Sequence, residues 1–403
     1  MTGVETWETA AAERPQGTRA VELRPPAGPT ARLLVAGDLA VPAGVLPRGA
    51  EHPWAPLAPY VGAHDLAVVN LECPLTERGS AIAKFGPSMS GEAALAAVAR
   101  DGGFGAASLA NNHIMDRGPD GLRDTLRACA DAGLRTVGAG ADLAAANEPL
   151  VVHLGAVTVA VVAVAEREFS IAGAGTSGAA PLDPWVTPVL VHRLRAGGHV
   201  VVVIVHGGNE LYGLPRPGLV AACRALAGAG AAAVVGHHSH VAAPWEVHEG
   251  VPIVYGTGNF VFPARSRQAP PWYRGYLTSL TLDAGGATGL RLTGYVQGED
   301  GPRVRPMAPR AAEAWFGHLD DLATALADPD ALEGAWRAFC RTRRPYVLAS
   351  LLGLTRVERR LLKAGVWPSW RVPRGRVPEL FDMVACESPR EVLESLLGEE
   401  MAR

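Results

Sequence analysis

Short apolar runs recur along the chain, and each is closed by a polar residue: LLVAG (33–37), LAVVN (66–70), FGAASLA (104–110), VTVAVVAVA (157–165), HVVVVIVH (199–206), AAAVVG (231–236) and VPIVYGTGN (251–259). Runs that are apolar throughout, rather than at every second position, predict strands covered on both faces, the pattern of an α/β sheet. Helical spacing appears between them. In GLRDTLRACADAG, Leu122, Leu126 and Cys129 fall on one face, and Gly133 stands where a helix stops. RPGLVAACRALAGAG repeats the design with Leu219, Cys223 and Leu226. YLTSLTL and LRLTGYV, joined by DAGGATG, predict a hairpin on a second sheet.

The pattern also sets the organisation. Residues 1–30 are polar and rich in Pro and Gly, which predicts a disordered or loosely attached tail. Residues 31–305 carry the strand and helix pattern of one large α/β domain, and 306–403 turn helical, as in RAAEAWFGHLDDLATALA and PDALEGAWRAFCRTRR. Within that last region TRVERRLLKAGVWPSWRVPRGR holds seven Arg or Lys against one Glu, with Trp367 and Trp370 among them. It reads either as a grip for an anionic partner or as a solvated helix face followed by a Pro-rich loop.

In open α/β sheets ligands sit beyond the carboxyl ends of the strands, so the polar residues that close the runs are the candidates for chemistry. They are Asp38, Asn70 with Glu72, Asn111 with Asn112 and His113, His206, the GHHSH segment of His237, His238 and His240, and Asn259. Any one alone is an ordinary turn former or cap. Together they offer carboxylate, amide and imidazole with no thiolate, a donor set for Mn²⁺, Fe²⁺/Fe³⁺ or Zn²⁺. A bridging carboxylate flanked by imidazoles suits two divalent ions that polarise a phosphoryl or carbonyl group. His238 and His240, two apart, would point the same way from an extended strand end, and His237 the other way, toward support of the turn.

Composition narrows the classes. At 403 residues, 48% hydrophobic and 19% charged, the chain is an ordinary globular one. A net charge of −3 argues against general nucleic-acid binding. Cys73, Cys129, Cys223, Cys340 and Cys386 form no CxxC pair and read as small core residues in a reducing compartment. With no signal peptide or membrane anchor in the first thirty residues and no later span, the expected location is cytoplasmic. Nothing in the sequence sets an oligomeric state.

The blocks GDLA, DLAVVNLECPL, SLANNHIMDRGPDGLRDTL, AGLRTVGAG, VIVHGGNE, GAAAVVGHHSHVAAPWE and IVYGTGNFVF follow one another from about Arg32 to Phe262. In order and spacing they resemble the CapA family of poly-γ-glutamate capsule biosynthesis proteins, within the calcineurin-like metallophosphoesterase superfamily. The resemblance implies an α/β fold of four layers, α-β-β-α, with two mixed sheets face to face and a dinuclear metal centre at the strand ends. It implies Asp38 on the first metal, Glu72 as the bridging carboxylate, Asn112 as the amide ligand, and His206, His238 and His240 as the imidazoles. His113 matches the superfamily's non-ligand histidine, which protonates the leaving group or stabilises charge.

Two departures stand out. The superfamily's first block is Asp-x-His, and here Ala40 holds the histidine's place; the acidic residue that follows the block's histidine is replaced by Ile114. Asp116 would orient His113 if a helix starts there, or else serve as a cap. Glu210 in HGGNE is shared with the CapA pattern as a catalytic or substrate residue, and Arg117, Asn259 and Glu168 are candidates to meet substrate. The implied activity is a metal-dependent hydrolase in which a metal-activated hydroxide attacks a phosphoester or an amide, on an anionic small molecule, a peptide or a polyglutamate-like substrate. The alternatives are an accessory protein that binds an acidic polymer in capsule assembly, and a tailoring enzyme acting on an amide or peptide in small-molecule biosynthesis.

Overall fold

The computed structural model describes residues 17–46, 52–84, 86–263, 268–299, 301–351, 356–364, 366, 384, 392, 397 and 401. Its strands, in chain order, are β1 (Thr18–Glu22), β2 (Ala31–Leu39), β3 (Leu66–Leu71), β4 (Ala106–Ser108), β5 (Arg135–Val137), β6 (Ala139–Gly140), β7 (Leu150–Leu154), β8 (Val157–Ala165) and β9 (Gly178–Ala179). They continue with β10 (Val200–His206), β11 (Ala233–His237), β12 (Trp245–His248), β13 (Val251–Val254), β14 (Asn259–Val261), β15 (Arg274–Asp283), β16 (Gly286–Gln297) and β17 (Val304–Pro306). The helices are α1 (Ala58–Gly62), α2 (Ala94–Asp101), α3 (Gly118–Asp131), α4 (Leu143–Ala146), α5 (Val186–Ala196), α6 (Pro217–Gly228), α7 (Pro309–Ala327), α8 (Pro329–Leu351) and α9 (Arg356–Lys363).

The apolar runs divide between two mixed sheets. One has the order β1-β16-β15-β2-β3-β4-β5, the other β12-β13-β11-β10-β8-β7. In the first, β2 to β5 run parallel; in the second, β8, β10, β11 and β13 do. Side chains of β8 and β10 alternate between two cores, which shows the layering. Val157, Val159, Val161, Val200, Val202 and Ile204 share one core with the first sheet. Val162, Val164, Val201, Val203 and Val205 share the other with Val191 of α5 and Leu219, Val220, Cys223 and Leu226 of α6. The fold is thus the four-layer α-β-β-α arrangement, with a helical C-terminal region.

Three features depart from the sequence expectations. The hairpin β15–β16 belongs to the first sheet, pairing Leu280 with Leu33 of β2, instead of starting a second one. Thr18–Glu22, inside the stretch expected as a tail, forms β1 against β16, pairing Thr18 with Thr293. Residues 1–16 lie outside the described residues. VPIVYGTGN is two strands, because the chain leaves the second sheet after Val254 and enters the first at Asn259, which pairs with Asp38. Backbones nearly touch at that crossing: a Cβ on Gly37 would lie 1.9 Å from the Gly258 carbonyl oxygen, and Gly258 itself has φ of +74°.

Two compact units divide the chain, one of Met1–Ile82 with Gly86–Leu332 and the other of Ala83–Phe85 with Glu333–Arg403. Trp315 and Phe316 of α7 pack on Tyr276 of β15, with ring centroids 5.8 and 6.3 Å away. In the second unit Trp336 stacks on Phe339 within α8, and Arg337 pairs with Glu333. Trp367 and Trp370 of the basic segment lie outside the described residues, as does Cys386. Cys73, Cys129 and Cys223 are buried, and burial pushes their thiols up to about 12, so they are not thiolate donors. Cys340, against expectation, is exposed. No helix among the described residues is long and apolar enough to cross a membrane.

His64, after α1, has Nδ1 2.9 Å from the Tyr60 carbonyl and Nε2 3.0 Å from Ser279 Oγ, so a neutral ring donates to one and accepts from the other. Ser279 Oγ is itself 3.0 Å from Tyr60 Oη, and Thr293 donates to that hydroxyl at 3.2 Å. Protonating His64 would set a donor against this chain of hydroxyls, and burial pushes the imidazole down to about 4. Because the folded value lies below the unfolded 6.5 or so, the stabilisation is complete above pH 6.5 and fades as the pH falls toward 4. We expect wild type to lose on the order of 2 kcal/mol more than His64→Gln between pH 7.5 and 4.5 in urea melts; identical losses would refute it.

Candidate metal centre

All but one of the side chains of the candidate site arrive from the carboxyl end of a strand. Asp38 sits on β2, Glu72 follows β3, Asn112 and His113 follow β4, His206 ends β10, His238 and His240 follow β11, and Asn259 opens β14. All are buried. The donors form two groups with one member in common: Glu72, His206 and His238 in one, Asp38, Glu72 and His240 in the other, the ligand atoms of each within 4.8 Å of one another. Asn112 joins the first, its Oδ1 3.0 Å from His206 Nε2. His238 Nδ1 is 3.1 Å from the same nitrogen, and Glu72 Oε1 is 3.6 Å from it. In the second group His240 lies 3.6 Å from Asp38 Oδ2 and 3.9 Å from Glu72 Oε1.

These residues fit divalent cations. Asp38 Oδ2 and both Glu72 oxygens are buried with no hydrogen-bond partner among the described residues. Leaving buried carboxylate oxygens uncompensated costs on the order of several kcal/mol per charge, so such a pair calls for a counter-charge. Donor atoms sharing one ion at about 2.1 Å would stand roughly 3.0–3.4 Å apart, close to the spacings around His206. The donors are oxygen and nitrogen only, as Mn, Fe or Zn prefer.

Without a cation the two carboxylates divide unequally. Burial pushes the Glu72 carboxyl well above its ordinary range, and the neighbouring charge of Asp38 adds to this. Burial also opposes ionisation of Asp38, but His240, 3.6 Å from Oδ2, and the charges of His237 and His206 outweigh it and hold Asp38 low. Burial pushes His206 well down. His240 moves up, since Asp38 overcomes its desolvation.

The two candidate histidines of GHHSH converge by a different route from the one the sequence suggests. The strand stops at His237, and His238 and His240 adopt φ of +89° and +56°, instead of alternating along an extended end. Left-handed backbone at non-glycine residues costs on the order of 1–3 kcal/mol and gathers at functional sites. Leu211, at φ of +60°, donates its N–H to the Ser239 carbonyl at 2.9 Å. That bond ties the loop carrying exposed Glu210 to the segment between the two histidines. His237 turns away as expected, and its Nε2 meets the Ala36 carbonyl at 2.8 Å, linking the sheets.

The other candidates distribute as follows. Asp116 is no helix cap: its Oδ2 lies 2.7 Å from His113 Nδ1 and accepts the Met89 N–H at 2.7 Å. Asn259 Oδ1 is 2.9 Å from His240 Nδ1, so this residue orients the imidazole. Glu168 stands beside Asn112 and His238, at 3.1 and 3.5 Å. Arg117 turns to Ser90 Oγ, 3.3 Å away. Of the residues flanking Glu168, Glu166 pairs with Arg216, and Arg167 with Asp183.

Two contributors were not assigned roles from sequence. Asn70 donates to Asp38 Oδ1 at 2.8 Å and lies 3.3 Å from His206 Nδ1; its place at the end of a strand was the available signal. Trp272 packs on His240 with ring centroids 5.1 Å apart, and nothing local marks it.

"PGA biosynthesis protein CapA" of Bacillus subtilis (strain 168) is 33% identical over 220 residues, 53% of this chain and 58% of that protein. "Capsule biosynthesis protein CapA" of Bacillus anthracis is 29% identical over 225 residues, 53% of this chain and 54% of that one. The chain thus spans little more than half the length of these curated relatives. Among solved structures, a novel phosphatase of Mycoplasma pneumoniae is 12% identical with a TM-score of 0.40, over 72% of this chain and 99% of that one. The NAD nucleotidase of Haemophilus influenzae is 12% identical with a TM-score of 0.37, over 75% of this chain and 56% of that one. The family described as "Bacterial capsule synthesis protein PGA_cap" matches residues 32–264, and the chain belongs to that family.

Proposed function

We propose that this chain is a metal-dependent hydrolase of the metallophosphoesterase type that cleaves a phosphoester, and that its substrate is an anionic molecule of the glutamate-polymer or capsule pathway. The observation that carries this reading is the pair of donor groups sharing Glu72, with both of its oxygens buried and unpartnered among the described residues. The names of the two Bacillus relatives support the pathway.

Glu72, Asn112, His206 and His238 would hold one cation and Asp38, Glu72 and His240 the other. When bound, the cations would polarise the scissile group and lower the pKa of the attacking water. The chain's own residues supply the rest. Burial of the whole donor set keeps bulk water away and strengthens each charge interaction inside. His113, with its Nδ1 side committed to Asp116, presents Nε2 as the nitrogen that gives a proton to the leaving group. Glu210, on the loop tied to Ser239 and near enough for its charge to act on Glu72, would be a substrate residue.

A second reading has an observation of its own. Ala40 leaves the Asp38 group with three donors against four in the other, which favours a chain that binds an acidic polymer around one strongly held ion. One experiment separates the two. Purified protein would be assayed for bound metal, and for turnover of a phosphodiester, a phosphomonoester and a γ-glutamyl anilide with Mn²⁺, Fe²⁺ and Zn²⁺. Close to two equivalents of metal and chelator-sensitive cleavage of a phosphoester are expected. Cleavage of the anilide alone would move the reading to an amide hydrolase; metal without any turnover would leave the binding role.

A further inference from the structure

Glu168 belongs to neither donor group, yet it reaches a member of one of them through each of its oxygens. It lies in the loop after β8, where Oε2 accepts from Asn112 Nδ2 at 3.1 Å and Oε1 stands 3.5 Å from His238 Nε2. An ionised carboxylate only accepts hydrogen bonds, while an asparagine amide has a donor end and an acceptor end, and a neutral imidazole carries one N–H. With Nδ2 drawn toward Glu168, the opposite end of the Asn112 amide, Oδ1, faces His206 Nε2 at 3.0 Å. With the proton of His238 drawn to Nε2, the lone pair of Nδ1 faces the same point, 3.1 Å from His206 Nε2. Glu168 thus selects the amide orientation and the imidazole tautomer that a cation beside Glu72 would need.

We infer that Glu168 is a positioning residue that presets Asn112 and His238 as ligands for the cation shared with Glu72 and His206. The inference rests on the metal-binding part of the proposed function and goes beyond it by giving Glu168 a role other than contact with substrate. The other donor group has a similar arrangement, since Asn259 Oδ1 fixes the Nδ1 side of His240. Carboxylate partners of this kind set ligand tautomer and orientation, and losing one typically weakens metal binding by about 10–100-fold.

Glu168 has a side chain 35% exposed, so it tolerates replacement. The loop is anchored independently by Ser170, whose Oγ donates to the Asn112 carbonyl at 2.7 Å and accepts from Met115 N–H at 3.3 Å. Removing the carboxylate should therefore disturb the ligands and leave the backbone in place.

The test is a Co²⁺ titration of the metal-free full-length chain, followed by calorimetry and visible absorption. Glu168→Ala is expected to weaken one class of Co²⁺ binding about 10–100-fold and to alter its visible band. Glu168→Gln, with one acceptor where the carboxylate has two, should satisfy either Asn112 or His238 and fall between. Melting temperatures of the metal-free variants should match wild type. Wild-type affinity and spectrum in Glu168→Ala would overturn the inference, and so would a drop in metal-free melting temperature large enough to explain the weaker binding. Failure of wild type itself to take up Co²⁺ would overturn this inference together with the metal reading beneath it.

Discussion

Replacing Glu72 by Ala is expected to remove both cations at once, because it is the one residue common to the two donor groups. Wild type should hold close to two equivalents of metal, and Glu72→Ala well under one at the same free concentration. A cation supplies several kcal/mol of transition-state stabilisation, so turnover should fall by about 10³ or more. Stability gives a second readout. A ligand held only by the folded state stabilises by about 2.7 kcal/mol at 100 times its dissociation constant, so wild type should melt higher with added Mn²⁺ and Glu72→Gln should barely respond. Metal-free, Glu72→Gln should be at least as stable as wild type, because it removes the pressure to bury two neighbouring carboxylates. Two fully occupied metals in Glu72→Ala would sink the bridging assignment.

Much of this centre was legible because its residues share one property: each closes an apolar run. Asp38, Glu72, Asn112, His206, His238 and His240 are recognisable in that way, and the fold brings them together. Their mutual orientation was not legible. His238 and His240 converge through two left-handed residues, a conformation that neither alternation nor composition encodes. Glu168 and Asn259 reach their histidines only because of a loop after β8 and a change of sheet between Val254 and Asn259. The allotment of runs to sheets was hidden for a related reason. LAVVN and HVVVVIVH are equally apolar, since both strands are covered on two faces, and only long-range pairing sends one to each sheet. Thr18–Glu22 escaped notice because TRAVE is short and edge-like, and its partner lies 275 residues away at Thr293.

Ala40 shows how a departure in sequence becomes physical. It is buried, and its N–H is committed to the Val261 carbonyl at 2.9 Å, so the backbone there is fixed by the β2–β14 junction. A missing imidazole at this point leaves the Asp38 group with fewer donors while Asn259 and Trp272 still support His240. The two donor groups are therefore unequal by construction, and on the proposed reading metal uptake is expected to be stepwise.

His113→Ala should separate catalysis from metal binding. Its Nδ1 bond to Asp116 places it in the buried turn with Asn112, yet it belongs to neither donor group. Metal content should therefore stay at the wild-type level while turnover falls by roughly 10²–10⁴, the usual contribution of a general acid. Substrates with a good leaving group, such as a nitrophenyl ester, need that proton least and should show the smallest loss. Asp116→Asn tests the partner: Asn keeps an acceptor for the Met89 N–H, so the turn should survive, but an amide that carries donors as well as an acceptor no longer fixes the Nδ1 side of His113. Its turnover should lie between wild type and His113→Ala, and Asp116→Asn should add little once His113 is gone, because the two act as one unit. Full additivity in the double variant, or loss of metal in His113→Ala, would count against the assignment.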